Sequence, residues 1–390
     1  MNARYPLLLI LLALVTALLY NFLPARDTQA IKIGVVLPLT GDFASFGQLG
    51  LQGVKLAAAE INSSGGVLNG RPIELVVQDN ESDPNLAVQQ TRKLIQEDGV
   101  LAIVGPVSSP ARQAMSTVAR QFKTPLLYGI DYEGGHFDRY LFCYSPIPDH
   151  VITPLIPYLA EHHGSKLYIF GYDYVWPHEM SRLMAREVEK VGGEVVATEF
   201  TPFGVSDFSP VLQRVAASGA DVMMLVMCGR DGQRFAGQFH HAGLKERIQL
   251  VAIASEESWS KKLSPAELEG ILTISPFLSS MDSSESRNLT GKIEELFGDD
   301  AVVTYSTESH YGLIRLLAQA IEKAGTIADI EALIDAMEGQ ELTVGTGKVT
   351  MRRDHHMNLN MVIATFKNGK LLVQKKLGLI SPADQRTETR

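Results

Sequence analysis

From Ala30 onward, short apolar runs rich in Val, Ile and Leu alternate with stretches whose apolar residues recur every three or four positions. Ile31–Leu37 (IKIGVVL) is the first run, and Pro38-Leu39-Thr40-Gly41-Asp42 breaks it. Gly50–Ile61 then places Leu51, Val54, Ala57, Ala58 and Ile61 on one helical face, and Gly65-Gly66 ends the segment. The cadence continues with strands at Ile73–Gln78, Leu101–Val104 and Pro125–Ile130, separated by helices at Leu86–Glu97 and Ala111–Phe122. Strands joined by single helices pair in parallel through right-handed crossovers, which demands helices on both faces of the sheet. The pattern restarts after Ser145-Pro146-Ile147-Pro148. Helices at Val151–His162, His178–Val191, Phe208–Ser218 and Asp231–His241 now alternate with strands at Lys166–Gly171, Glu194–Phe200, Asp221–Met227, Gln249–Ala254 and Ile271–Pro276. Helical stretches follow at Ser284–Phe297, Ser306–Lys323 and Ile327–Met337, and Gly347–Leu379 reads as strand with a turn at Asn368-Gly369. The expected fold class is α/β, with two doubly wound parallel-sheet lobes of similar size and a cleft between them.

Composition narrows the function. The chain has 390 residues, 45% of them apolar, enough to fill real cores and to exclude wholesale disorder. Its formal charge of −9, without a basic block, argues against a nucleic-acid partner, because phosphate neutralisation needs clustered Lys and Arg. The 2 cysteines, Cys143 and Cys228, cannot build a disulfide scaffold or a four-cysteine zinc site, and their apolar surroundings point to buried free thiols. Arg4 followed by the apolar run Pro6–Leu19 reads as an export signal, with Thr28-Gln29-Ala30 as a passable cleavage site. Counted from Tyr5 to Leu23, the same run is long enough to stay in a bilayer as an uncleaved membrane anchor. No Cys follows it, which excludes a lipid-anchored start. The remainder carries no second apolar run of spanning length, so the bulk is expected to be soluble and extracytoplasmic.

In open parallel sheets, ligands sit beyond the carboxyl ends of the strands. After Leu37 come Thr40–Gly47, and after Val104 come Gly105–Ser109, where a Ser at a helix start can cap the helix or hold a ligand oxygen. After Leu127 come Tyr128-Gly129-Ile130-Asp131-Tyr132-Glu133-Gly134, and after Phe170 come Gly171–Pro177 (GYDYVWP). Cys228–Asp231 and Ser255-Glu256-Glu257 complete the ring. Aromatic walls with a few polar anchors are what a small-ligand pocket uses, although each ring has an equally ordinary reading as interdomain packing. Catalytic motifs are poor. There is no HExxH and no G-x-S-x-G elbow, so neither an enzyme nor a metal site is expected, and no cofactor motif is present. Gly345-Thr346-Gly347-Lys348 lacks the first Gly and the Ser/Thr of a phosphate loop. The pairs His162-His163, His240-His241 and His355-His356 fall at helix ends or in a tail loop and are expected at the surface.

The segment from Ile31 to Pro84, with LTGDFASFG, a helix ending in AEIN, GGVLNGRPIEL and a strand ending in DN, resembles the branched-chain amino-acid type of periplasmic solute-binding proteins. Tyr132-Glu133-Gly134, GYDYVWP, Val191-Gly192-Gly193 and, more faintly, Ser275–Ser280 (SPFLSS) resemble the urea and short-chain amide receptor branch. The resemblance extends to about Leu379. It implies the type I periplasmic binding protein fold with a three-segment hinge, crossing near Ser145–Pro148, Thr273–Pro276 and Leu342–Gly347. Residues 31–146 with 274–345 would form lobe 1 and 147–273 with 346–380 lobe 2, preceded by a signal peptide or anchor over 1–30 and followed by a tail over 381–390. By resemblance, Ser109 binds a ligand oxygen, Tyr128 and Tyr174 are pocket tyrosines from opposite lobes, and Trp176 is an aromatic that stacks on a flat ligand. Ile130 stands where a Thr is usual, which removes a polar anchor. Glu256 or Glu257 matches the acid that meets a ligand amine or amide N–H. The implied function is an extracytoplasmic receptor that closes on urea, a short amide or an amino acid and delivers it to the membrane permease of an ABC transporter. The alternative is a sensor of the same fold that signals to a partner protein.

Overall fold

The computed structural model describes residues 29–386. The proposed signal or anchor over 1–30 lies outside these residues except for its last two, and the tail over 381–390 except for its first six. The chain opens with β1 (Ile31–Leu37), α1 (Ala44–Ser63), β2 (Ile73–Asp79), α2 (Pro84–Lys93), β3 (Ala102–Val104), α3 (Ser109–Phe122), β4 (Leu126–Tyr128) and β5 (Leu141–Cys143). These five strands form one parallel sheet in the order β2-β1-β3-β4-β5. Ile33, Val35, Val36 and Leu37 are fully buried, as a central parallel strand requires.

The second half builds α4 (Pro148–His162), β6 (Lys166–Tyr172), α5 (Val175–Lys190), β7 (Glu194–Thr201), α6 (Ser209–Ala217), β8 (Val222–Val226), α7 (Gly229–His241), β9 (Gln249–Ala252), a helical turn α8 (Pro265–Leu268) and β10 (Leu272–Ser275). Then come α9 (Ser284–Phe297), α10 (Tyr305–Ala324), α11 (Ile330–Met337), β11 (Glu341–Val344), β12 (Gly347–Met351), β13 (Met357–Lys367) and β14 (Lys370–Ile380). The nine-stranded second sheet runs β11-β12-β13-β10-β9-β8-β6-β7, with β14 beside β13. Its β7 to β10 portion is parallel, whereas β11 to β14 add antiparallel strands, so this sheet is mixed rather than purely parallel. For β14 the cause is local: Asn368 and Gly369, both at positive φ, form a two-residue reversal that leaves no room for a crossover helix.

Helices α9, α10 and α11 return to the first sheet, where α10 packs along α1. The chain therefore passes between the two α/β lobes after β5, after β10 and again after α11. Helix α1 begins six residues before the periodic stretch, because Phe46 and Leu49 extend its buried face. At Gly53 of α1, an added Cβ would lie 2.0 Å from the Thr307 carbonyl oxygen of α10, so the two backbones touch.

The cysteines are free and buried. The surface expectation fails for His355 and His356, each only 1% exposed. The turn between β12 and β13 folds back onto β5, where the Cys143 N–H donates to the His355 carbonyl at 2.8 Å and the His355 ring stacks on Phe142 at 4.0 Å. The hydroxyl of Tyr132 meets His356 Nε2. His162 and His241, at helix ends, are exposed.

Candidate ligand-binding site

The carboxyl ends of the strands of both sheets face one another across a small pocket. Lobe 1 supplies Phe43, Phe46, Ser109, Ile130, Asp131 and Tyr305 to its walls. Lobe 2 supplies Tyr174, Trp176, Cys228 and Ala254. The first loop is held in place by Asp79, whose carboxylate accepts from the Leu39 N–H and the Thr40 hydroxyl, both at 2.8 Å. Ser82 Oγ accepts from the Phe43 N–H at 3.1 Å. These bonds fix the turn that carries Phe43 and Phe46 into the cleft.

The lobes meet around this pocket. The Phe43 ring lies edge-on to Tyr174 at 6.5 Å and to Phe203 at 5.7 Å. Ser45 Oγ donates to Glu256 Oε1 at 3.2 Å, and Arg230 faces Asp42 at 3.6 Å.

Four of the six residues singled out in the sequence share the pocket wall: Ser109, Ile130, Tyr174 and Trp176. Ser109 opens α3, but its hydroxyl donates to Glu133 Oε2 at 2.7 Å, and Glu133 Oε1 pairs with Arg112 Nη2 at 2.7 Å. The Arg112 guanidinium in turn lies over the Tyr132 ring at 4.3 Å. Tyr128 lies behind the wall, fully buried, with its hydroxyl donating to the Val107 carbonyl at 2.6 Å. Tyr174 and Trp176 stand 6.4 Å apart on the lobe 2 side, and the buried Trp176 indole N–H has no acceptor among the described residues.

Glu256 and Glu257 point to different places. Glu256 Oε1 accepts from Ser258 at 2.8 Å as well as from Ser45, at the seam between the lobes. Burial pushes its carboxyl up to about 7. Glu257 turns to Ser279, whose N–H donates to it at 2.8 Å, and burial pushes it up to about 8. Asp131 and Tyr305 were less visible in the sequence. Asp131 Oδ1 accepts from the Tyr305 hydroxyl at 2.5 Å, and burial raises Asp131 to about 6 against the opposing pull of that bond. Tyr305 follows a loop rather than a strand, so strand-end logic passes over it; its one signal is that, like Ser109, it begins a helix.

Among the described residues, no group of His, Cys, Asp and Glu is placed to hold a metal ion. No described helix is long and apolar enough to cross a membrane.

Comparison with known proteins matches the geometry. The model of the periplasmic binding protein family matches residues 30–370. The Leu/Ile/Val-binding protein homolog 6 of Brucella melitensis is 25% identical, over 87% of this chain and 88% of its own. The leucine-, isoleucine-, valine-, threonine- and alanine-binding protein of Pseudomonas aeruginosa is also 25% identical, over 83% and 86%. A solute-binding protein of an ABC transporter from R. palustris, solved in complex with benzoate, superposes with a TM-score of 0.83 over 91% of this chain and 98% of its own, at 21% identity. The two-lobed α/β fold, the pocket at the facing strand ends and a family match over nearly the whole described chain agree: the chain belongs to the periplasmic binding protein family.

Proposed function

We propose that this chain is the extracytoplasmic solute-binding component of an ABC transporter, closing its two lobes over one compact solute for delivery to a membrane permease. The observation that carries the reading is the pocket at the seam, built by both lobes and bridged on its rim by Phe43–Tyr174, Ser45–Glu256 and Asp42–Arg230. A ligand held by residues of both lobes favours the closed state, because only there does it touch both sets. The hinge is the set of three chain crossings, and the N-terminal apolar segment, as a signal or as an anchor, would direct the protein out of the cytoplasm.

The walls favour a solute with a hydrocarbon or flat body and at least one nitrogen donor, as in urea, a short amide or an amino acid. Tyr174 and Trp176 flank the body, the Trp176 N–H offers a bond to a ligand oxygen, and Asp131 supplies an acceptor on the wall, with Glu256 at the seam beyond it. The Leu/Ile/Val-binding names of the relatives keep amino acids in the panel.

The test is a thermal-shift screen of the protein against urea, short amides, amino acids and aromatic acids, with small-angle scattering on any hit. A solute that binds only the folded state raises the melting temperature by mass action. A shift with compaction, lost in Tyr174→Ala while the circular dichroism spectrum is unchanged, is the expected result. A hit that leaves the scattering profile unchanged and survives Tyr174→Ala would overturn the two-lobe reading.

A further inference from the structure

The charges around the pocket are unevenly balanced. On the lobe 1 side, Arg112 is paired with Glu133 at 2.7 Å. At the rim, Arg230 faces Asp42 at 3.6 Å. Both cations are thus matched by carboxylates. Asp131 and Glu256, one from each lobe, have no Lys, Arg or His partner among the described residues. Among the described residues, Asp131 is the one charged side chain on the pocket wall, and it stands among five rings, those of Phe43, Phe46, Tyr174, Trp176 and Tyr305. Aromatic faces carry negative quadrupole potential and attract a cation, most strongly where water is excluded. The place where a ligand carboxylate would be expected, the start of α3, is already taken: the Ser109 hydroxyl is committed to the Glu133 carboxylate. A second carboxylate there would meet the first at short range.

We propose that the solute is a compact organic cation, an alkyl- or arylammonium ion without a free carboxylate, whose charge pairs with Asp131 on the pocket wall, in the field of Glu256 at the lobe seam beyond it, and whose body lies among the five rings. Its remaining polar group is a neutral oxygen, such as a hydroxyl, that accepts from the Trp176 N–H. This rests on the receptor reading above and narrows it to one charge class. Entry of the cation favours the ionised form of both carboxyls, which burial alone disfavours. Binding near pH 6 to 7 therefore releases protons, with Asp131 at about 6 and Glu256 at about 7 before the ligand enters.

The test uses two shape-matched series on the protein from residue 29 onward: leucinol, leucine and 4-methylpentanamide, then benzylammonium, benzamide and benzoate. Affinity is read by calorimetry in two buffers of different ionisation enthalpy. The expected result is binding of leucinol or benzylammonium at least tenfold tighter than the other members of its series, with proton release at pH 6.5. Asp131→Asn, checked for an unchanged melting profile, is expected to weaken the cation at least tenfold and the neutral amide by less than threefold. Should the Asp131→Asn protein fail to fold, the proton release of the wild-type protein stands as the readout. Tighter binding of leucine, an amide or benzoate than of the matching ammonium ion overturns the charge assignment and leaves the receptor reading intact. Silence of both series overturns it too, and the receptor reading is then decided separately by the broad screen.

Discussion

The close approach of α1 and α10 gives a prediction whose sign follows from one atom. In Gly53→Ala the new methyl would lie 2.0 Å from the Thr307 carbonyl oxygen and 2.9 Å from the Tyr311 nitrogen, where ordinary contact begins near 3.4 Å. Both obstacles are backbone, so no side chain can swing aside, and the helices must part by on the order of 1 Å. A gap of about 0.5–1 Å forfeits roughly a quarter to a half of each dispersion contact along the seam. Overpacking of this kind costs about 1–3 kcal/mol, occasionally more. Removing a mid-helix glycine returns about 0.5–1 kcal/mol. Because the clash at 2.0 Å is with fixed backbone, the cost falls in the upper part of that range, about 2–3 kcal/mol. The net destabilisation is then about 1–2.5 kcal/mol, a fall in melting temperature of roughly 2–10 °C at about 2–4 °C per kcal/mol. Gly291→Ala in α9 is the control. It sits exposed on a helix with nothing within 4 Å of the new methyl, and the same propensity gain should raise stability by about 0.5–1 kcal/mol. Circular-dichroism melts of the two variants should move in opposite directions. The α1–α10 contact also positions the pocket, since Ser306 Oγ donates to the Phe46 carbonyl at 3.0 Å and the Phe46 and Tyr305 rings lie 6.3 Å apart. Solute affinity should therefore fall in Gly53→Ala and stay unchanged in Gly291→Ala. A Gly53→Ala protein as stable as wild type would refute the reasoning.

Two further outcomes are expected. His150 and His310 are fully buried and held down at about 4, below the ordinary 6.5, so the stability they contribute is complete above pH 6.5 and is lost as pH falls toward 4. Glu256 and Glu308 are buried and raised to about 7 from 4.5, so their contribution is complete below pH 4.5 and is lost as pH rises through 7. Each tenfold change in a group's proton affinity on folding is worth about 1.4 kcal/mol. The two pairs largely offset one another between about pH 4.5 and 6.5, so ligand-free stability should be highest near about pH 5.5 and fall by about 1–2 kcal/mol toward about pH 3.5 and toward about pH 8. A melting temperature flat from about pH 4.5 to 8.5 would contradict this. Phe203 is 39% exposed and stands outside the pocket wall, yet its ring meets Phe43 across the cleft. Losing one such pair, worth about 0.5–1.5 kcal/mol, should weaken solute binding by about two- to twelvefold in Phe203→Ala, and a double-mutant cycle with Phe43→Ala that shows no coupling would count against closure through this contact.

The strand and helix cadence is legible because the central parallel strands are buried on both faces and so appear as unbroken apolar runs, as Ile31–Leu37 does. Rules about strand ends bring Ser109, Ile130, Tyr174 and Trp176 to one wall, since those positions follow from topology. Side-chain direction does not follow so simply. Tyr128 closes β4 with its ring turned beneath the pocket, and the consecutive acids Glu256 and Glu257 turn to opposite partners in Ser45 and Ser279. Tyr305 arrives from a helix start far along the chain, and His355 and His356 are buried by a turn that reaches β5 across more than 200 positions, as the 214 between His355 and Leu141 show. Such placements depend on tertiary contacts that periodicity does not encode.

The pairing of α10 with α1 also orders events in the making of the protein. The bond from Tyr311 to Glu60 spans 251 positions, and closing a loop of that length costs about 5 kcal/mol of chain entropy. Chains are made from the N-terminus, at about 5–20 residues per second. Throughout synthesis of the whole of β6 to β10, the small-residue face of α1 around Gly50, Gly53 and Ala57 has no cover from α10. The first lobe is therefore finished after the second has begun, and the unfinished intermediate presents an apolar groove for a time on the order of tens of seconds. A chaperone that shields this groove would act on the nascent or newly exported chain, and its substrate would be the half-built first lobe rather than the complete receptor.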